Sequence, residues 1–326
     1  MPLALREGIP ARLVPVTLIG SRHDRSFEDG RRLPMSVRAA TSLDRPTVQK
    51  YNRSLFPPYR RISVLRRFCR VARVIAIANQ KGGSGKTTTT RSLASALAER
   101  GRVVLMVDLD PQASLSEGCG LPLHQVEVST YHVLIGSAKL ADVILQVEER
   151  IGIAPTNIHL AAAELQLVNM NRREDKLRNA LRLVREHFDY VLIDCPPSFG
   201  LLTVNALSAA DSVLIPMTCD YYTLLGVGLL LETVREIQQE VNPDLKVEGI
   251  LATRFDGRTL HAREMLQRAR DELGVQYRIF DTVVRESVRF KESPIVGQSI
   301  LAYARTSEGA RAYRSLAEEL DHASPS

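Results

Sequence analysis

The stretch VIAIANQKGGSGKTTTT, Val74 to Thr90, constrains the fold more than any other part of the chain. VIAIA is an unbroken apolar run, the pattern of a strand buried on both faces of a parallel sheet. Gly82, Gly83 and Gly85 follow, and TTTTRSLASALAERG then reads as a helix that ends at Gly101 with Arg100 in its last turn. A strand, a glycine turn and a helix in that order let successive backbone N–H groups converge at the positive end of a helix, which is a cradle for phosphate. The phosphate-loop pattern asks for a further glycine where this chain has Gln80, and a second lysine, Lys81, stands beside it. The spacing assigns Lys86 to the β- and γ-phosphates and the Thr87 hydroxyl to Mg²⁺. The expected nucleotide-binding set of the loop is Gly82, Gly83, Ser84, Gly85, Lys86, Thr87 and Thr88.

The rhythm set by this unit continues. RVVLMVDLD, DYVLIDCPP, SVLIP and VEGILATRFD read as strands, with helical segments between them. One of these, DKLRNALRLVREHF, places Leu177, Leu181, Val184 and Phe188 on one helical face. Strands alternating with helices argue for an α/β, doubly wound, mostly parallel sheet, here as a P-loop NTPase. A chain of 326 residues, 44% hydrophobic, is large enough for one such core. Ligands in these sheets bind outside the carboxyl ends of the strands. Asp194 ends one apolar strand and takes the place of an acid that holds Mg²⁺ through water. Asp108 and Asp110, two residues apart, are read as sharing one face at another strand end.

The formal net charge of +6 is unevenly spread. Residues 1–73 hold fifteen Arg and one Lys against five acids, net +11, whereas the remainder is net −5. A division follows: 1–73 as a basic, poorly ordered N-terminal extension, and 74–322 as the P-loop NTPase domain. Within the extension, RRISVLRRFCRVAR is compatible with a short basic helix carrying Ile62, Leu65 and Phe68. The four cysteines, 69, 119, 195 and 219, show no metal-type spacing and fit a reduced, cytoplasmic protein. Apolar runs fall short of the roughly 20 residues of a membrane span, and LVPVTLIG is too short and proline-broken for a signal peptide.

KGGSGKTT, VDLDPQAS, YVLIDCPPSFG, MTCDYYTLLGV and FDGRT together resemble the ParA/Soj branch of the deviant Walker ATPases, within the MinD/ParA group, from about Val74 to Leu320. The resemblance implies ATP and Mg²⁺ as cofactors, an ATP-sandwich homodimer, slow hydrolysis and a ParB-type adaptor that stimulates it. It implies that Lys81 reaches across the dimer to the other chain's nucleotide, and that the acid at Asp110 organises the attacking water while Asp108 supports it or the metal side. Lys81, Lys86 and Asp110 are the expected catalytic set, with Thr87 and Asp194 on the metal. It also implies nonspecific DNA binding through Arg258 and Arg289, and a cytoplasmic, nucleoid-associated location. Further candidates for the basic patch are Arg254, Arg263, Arg268, Arg270, Arg278, Arg285 and Lys291. The basic leader is a further candidate for DNA contact. One departure stands out: where relatives commonly read IPRNVR, this chain reads VRESVR, with Arg285 for the proline and Glu286 for the arginine, in a loop near the adenine.

Other readings of the scaffold make distinct demands. A ParA-like positioning ATPase for a protein cargo shares every motif above. A MinD-like membrane ATPase needs a basic amphipathic C-terminal helix, whereas RAYRSLAEELDHASPS carries acids at 318, 319 and 321. An electron carrier needs cluster cysteines, but Cys195 and Cys219 lie in motifs that ATP-only relatives share, which suits buried structural roles. A small-molecule ligase or kinase on this scaffold needs a phosphate acceptor and is indifferent to DNA.

Overall fold

The computed structural model describes residues 71–220 and 223–322; the readings made on residues 1–70, including the basic helix around Leu65, lie outside them. Eight strands form one sheet among the described residues, in the order β3-β4-β2-β5-β1-β6-β7-β8. They are β1 (Arg73–Ile77), β2 (Val104–Asp108), β3 (Leu145–Glu148) and β4 (Ile151–Ala154). β5 (Tyr190–Asp194), β6 (Ser212–Thr218), β7 (Lys246–Phe255) and β8 (Ile279–Arg285) complete it. Every pairing is parallel except β3 with β4. The doubly wound, mostly parallel sheet read from the strand–helix rhythm is therefore present. β1 starts one residue earlier than the apolar run alone suggests, at Arg73.

Strand side chains alternate between faces, so each apolar strand feeds two cores. Val74, Ala76, Val191 and Ile193 pack on one face with α5 (Leu160–Val168), α6 (Lys176–Leu181), α7 (Leu201–Ala209) and α8 (Thr223–Glu240). Ile75, Ile77, Met106 and Leu192 pack on the other, against α1 (Lys86–Glu99), α2 (Ser114–Gly118), α11 (Ile300–Tyr303) and α12 (Glu308–His322). Shorter helices α3 (Thr130–Leu134), α4 (Leu140–Val143) and α10 (Arg289–Glu292), and the longer α9 (Leu260–Leu273), join these layers.

One expected helix is shorter than its period. α6 ends at Leu181, and a 3-10 turn at Arg185–His187 carries the chain into β5. The four apolar residues are all buried. The helix gives way because the chain must turn: the Arg185 side chain donates to the Ala72 carbonyl at 2.7 Å, and the Asp189 N–H to the Val103 carbonyl at 2.8 Å. A helix–turn–3-10 sequence keeps the same apolar spacing, so periodicity alone cannot see the break.

α12 is amphipathic, and its apolar face is spent inside the protein: Tyr313, Leu316 and Leu320 are fully buried. The same helix covers the edge of the sheet. Glu319 accepts from the Asp281 and Thr282 N–H groups of β8, at 3.2 and 2.9 Å, and from the Thr282 hydroxyl at 2.5 Å. An edge strand otherwise presents such donors unpaired. Glu319→Ala should lower the unfolding free energy by about 1–3 kcal/mol and Glu319→Gln by less, as read from urea midpoints at constant m-value.

Candidate functional site

The loop between β1 and α1 is pinned from several sides. Gly83 and Gly85 have φ of 73° and 90°, the left-handed region in which a side chain is strained. The Asn79 side chain donates to the Pro216 carbonyl at 2.6 Å and accepts from the Lys81 N–H at 2.9 Å. The Thr253 hydroxyl donates to the Ser84 carbonyl at 2.7 Å, and Arg254 Nη1 to the Gly83 carbonyl at 3.2 Å. α1 begins at Lys86, so its positive end opens directly onto the loop. The Lys86 ammonium is buried and donates to the Lys81 carbonyl at 3.3 Å. Burial pushes its pKa down, while Asp194, Cys195 and Asp110 oppose that.

A cleft of about 980 Å³ opens above this loop. Gly82, Gly83, Gly85, Lys86, Thr87, Thr88 and Asp110 line it together with Arg254, Arg285, Glu286, Ser287, Phe290 and Lys291. Ser84 lies beneath, fully buried, and its hydroxyl has no partner.

Three acids meet near the loop without sharing one surface. Asp108 and Asp194 end neighbouring strands and stand opposite each other in the β2–β5 register, both fully buried. The expectation that Asp108 and Asp110 share a strand face does not hold, because β2 stops at Asp108 and the backbone turns there. Asp108 faces inward, accepting from the Ser116 N–H at 2.9 Å, the Ser116 hydroxyl at 2.6 Å and the Asp110 N–H at 3.1 Å. Asp110 faces the cleft, with Oδ1 accepting from the Gln112 N–H at 2.9 Å.

Burial pushes the Asp108 carboxyl up to about 7 against its hydrogen bonds. Burial also pushes Asp194 well up, and neighbouring Asp108 adds to this, while the Thr87 hydroxyl pulls the other way. Asp194 Oδ2 is buried without a partner, although Thr90 approaches Oδ1 at 3.4 Å. An orphaned carboxylate oxygen beside a threonine hydroxyl and below a phosphate cradle is the donor set a hard divalent cation requires. These residues thus fit Mg²⁺ with a nucleotide.

Lys81 stands apart from its loop partners. It does not line the cleft; its ammonium donates to Asp220 and, at 3.2 Å, to the Thr218 hydroxyl. Arg258 and Arg289 are exposed on the surface. Arg258 is held by both oxygens of Asp256 at 2.8 Å. Among the other arginines read as a basic patch, Arg268, Arg278 and Arg285 pair with Glu272, Glu319 and Glu308. Arg254 belongs to the cleft and not to that patch, since it bridges Gly83 and Glu286. Reasoning from sequence missed Thr218, Asp220 and Thr253, whose positions at or near the ends of β6 and β7 were the available signal. Cys195 and Cys219 are both buried, and burial pushes the Cys219 thiol up to about 11.

A protein-family model described as an AAA domain matches residues 72–247. The sporulation initiation inhibitor protein Soj of Bacillus subtilis is 42% identical over 251 residues, covering 77% of this chain and 98% of its own. The chromosome partitioning protein ParA of Myxococcus xanthus is 43% identical over 251 residues, 77% of this chain and 88% of its own. A crystal structure titled cobyrinic acid a,c-diamide synthase from Mycobacterium smegmatis, with bound ATP analog and magnesium, is 39% identical, with a TM-score of 0.69. It covers 77% of this chain and 95% of its own.

The buried carboxyl pair sets a pH dependence opposite to that of ordinary acids. A carboxyl whose folded pKa is raised contributes fully below its unfolded value and loses that contribution as pH rises through the folded one. For Asp108 that window runs from the ordinary aspartate value, 3.8, to about 7. The nucleotide-free protein should therefore lose about 1–3 kcal/mol of stability from this pair between pH 5 and 8. Asp194→Asn should flatten this slope and raise the nucleotide-free melting temperature at pH 8, while removing the extra melting shift that Mg²⁺ gives with nucleotide.

Proposed function

We propose a DNA-partition cycle for this chain, which belongs to the ParA/Soj family of P-loop ATPases. As a member of that family it is an ATP hydrolase using Mg²⁺ and ATP. In the proposed cycle two ATP-bound chains pair face to face, the pair binds DNA without sequence preference, and a ParB-type adaptor triggers hydrolysis and release. Lys86, the backbone of Gly82 to Gly85 and the Thr87 and Thr88 hydroxyls would hold the phosphates. Thr87 and, through water, Asp194 would hold Mg²⁺, which supplies charge neutralisation at the phosphates. Asp110, the acid that faces the cleft, would orient the attacking water.

The observation that carries this reading is the separation of the two lysines. Lys86 is buried under the cradle, whereas Lys81 leaves its own cleft and lies at the surface beside β6. A cation that does not serve its own site, on a loop that needs one more charge around the γ-phosphate, suits a site completed by a second chain. Turnover would then require pairing.

DNA contact would come from a local patch, because residues 74–326 are net −5. Arg258 and Arg289 are the proposed phosphate contacts, and Arg263, Arg270 and Lys291 are exposed cations without an ion pair among the described residues. The leader, residues 1–73, would add affinity for DNA through its net +11.

The Mycobacterium smegmatis structure is titled as an amide-forming synthase, which supports a second reading. A synthase of that kind would cleave ATP only with a carboxylic acid and a nitrogen donor, and DNA would leave its rate unchanged.

Lys81→Ala should keep nucleotide affinity within about threefold yet lose ATP-dependent dimerisation in sedimentation and most turnover, about tenfold or more. Normal dimers in that variant would refute the trans role. Replacing both Arg258 and Arg289 with Ala should weaken binding to random-sequence DNA and lower the slope of log K against log salt by about 2. An unchanged slope would remove them from the interface.

A further inference from the structure

Resting on the reading of the β1–α1 loop as a phosphate cradle, we infer that Arg254 is a second in-chain cation for the nucleotide's terminal phosphates. Glu286 is the carboxylate it must leave to reach them.

Two successive residues at the end of β7 are fastened to the cradle. The Thr253 hydroxyl donates to the Ser84 carbonyl at 2.7 Å, and Arg254 Nη1 to the Gly83 carbonyl at 3.2 Å. A Cβ added at Gly83 would stand 3.3 Å from that same nitrogen, so the guanidinium lies directly against the loop. Packing does not demand this placement, since the Arg254 side chain is 51% exposed while its backbone holds φ of 50°. A strained residue that no core requires, at the rim of a cleft, is placed for binding. Arg285 also lines the cleft, but it is turned to Glu308 at 3.8 Å.

The chemistry asks for such a cation. In the lone chain Lys81 is bound to Asp220 and does not line the cleft, so Lys86 is the one lysine of the loop left for the phosphates. Lys86 is itself shared with Asp194 and Asp110, which favour its charged form. A metal triphosphate stays anionic after its metal is counted, and a guanidinium fork can take two of its oxygens at once. Glu286 holds that fork until then. Its two oxygens lie 2.8 Å from Nε and 3.5 Å from Nη2, and its N–H donates to the Phe255 carbonyl at 3.2 Å. Water reaches both side chains, so one screened carboxylate holds Arg254 less firmly than a polyphosphate does. With Lys81 serving the second chain, the two cations divide the work. Arg254 supplies affinity within one chain, and Lys81 supplies turnover between two.

The test uses the full chain and its Arg254→Ala, Arg254→Lys, Glu286→Gln, Arg254→Ala/Glu286→Gln and Lys86→Ala variants. Affinities for ATP, ADP, AMP and GTP, each with Mg²⁺, are measured by calorimetry, and kcat and KM by phosphate release. Arg254→Ala should weaken ATP and raise KM about tenfold, while AMP affinity and kcat stay within about twofold. Arg254→Lys, which keeps the charge, should bring ATP back to within about threefold of wild type. Glu286→Gln should tighten ATP about two- to fivefold, and the double variant should match Arg254→Ala. Equal weakening of ATP and AMP marks a structural prop, and a change confined to the ATP-to-GTP ratio marks a base contact. Either result overturns the inference, as does an unchanged ATP affinity in Glu286→Gln. If Arg254→Ala does not fold, Arg254→Gly, whose backbone suits φ of 50°, is read by the same criteria. A Lys86→Ala variant that binds ATP as tightly as wild type would remove the cradle reading itself, separately from any result at Arg254.

Discussion

A buried ammonium must be answered by buried carboxylate, and that requirement organises the functional end of this sheet. Lys86 is nearly inaccessible, and burial disfavours its charge. Asp194, which ends β5 in register with Asp108 of β2, and Asp110 just past the end of β2 supply the answer. Carboxyls outnumber the ammonium in a dry space, and burial, with Asp110 repelling Asp108 and Asp108 repelling Asp194, pushes both strand-end acids towards the neutral form. The imbalance is what makes the place useful. It leaves Asp194 Oδ2 without a partner, while the loop above offers inward-turned N–H groups. A site short of one cation and short of one anion is complementary to a metal nucleotide and to little else.

The fold was legible where chemistry and position coincide in a short window. Strand, glycines, Lys86 and helix follow one another directly, so no long-range fact was needed to read the cradle. The acids required more. Residue parity along VDLDPQ put Asp108 and Asp110 together, but parity applies only while the strand lasts, and the turn after Asp108 sends them to different surroundings. The helix before β5 failed for the related reason that burial pattern outlives helical geometry. Contacts that close in three dimensions left no local trace at all. Asp220 lies 139 positions from Lys81, and nothing in MTCDYYTLLGV distinguishes a lysine acceptor from a turn aspartate. Arginines were the least legible, because a cleft arginine and a surface arginine look alike until a partner is seen.

Arg254 shows what such a partner changes. Read from sequence, the acid at Glu286 is an anomaly, since relatives commonly carry an arginine there in a loop near the base. In the fold Glu286 is answered by Arg254, whose Nε lies 2.8 Å from its carboxylate. Arg254 has φ of 50°, an uncommon conformation for a residue with a long side chain, and its guanidinium reaches on to the Gly83 carbonyl. A cation at the end of β7 thus answers the acid of the β8–α10 loop at the mouth of the cleft. It joins the phosphate loop, β7 and the segment after β8 through one side chain. Both partners are about half exposed, so the link is weak enough to yield when a nucleotide enters. The loop after β8 is therefore coupled to the phosphate cradle through Arg254.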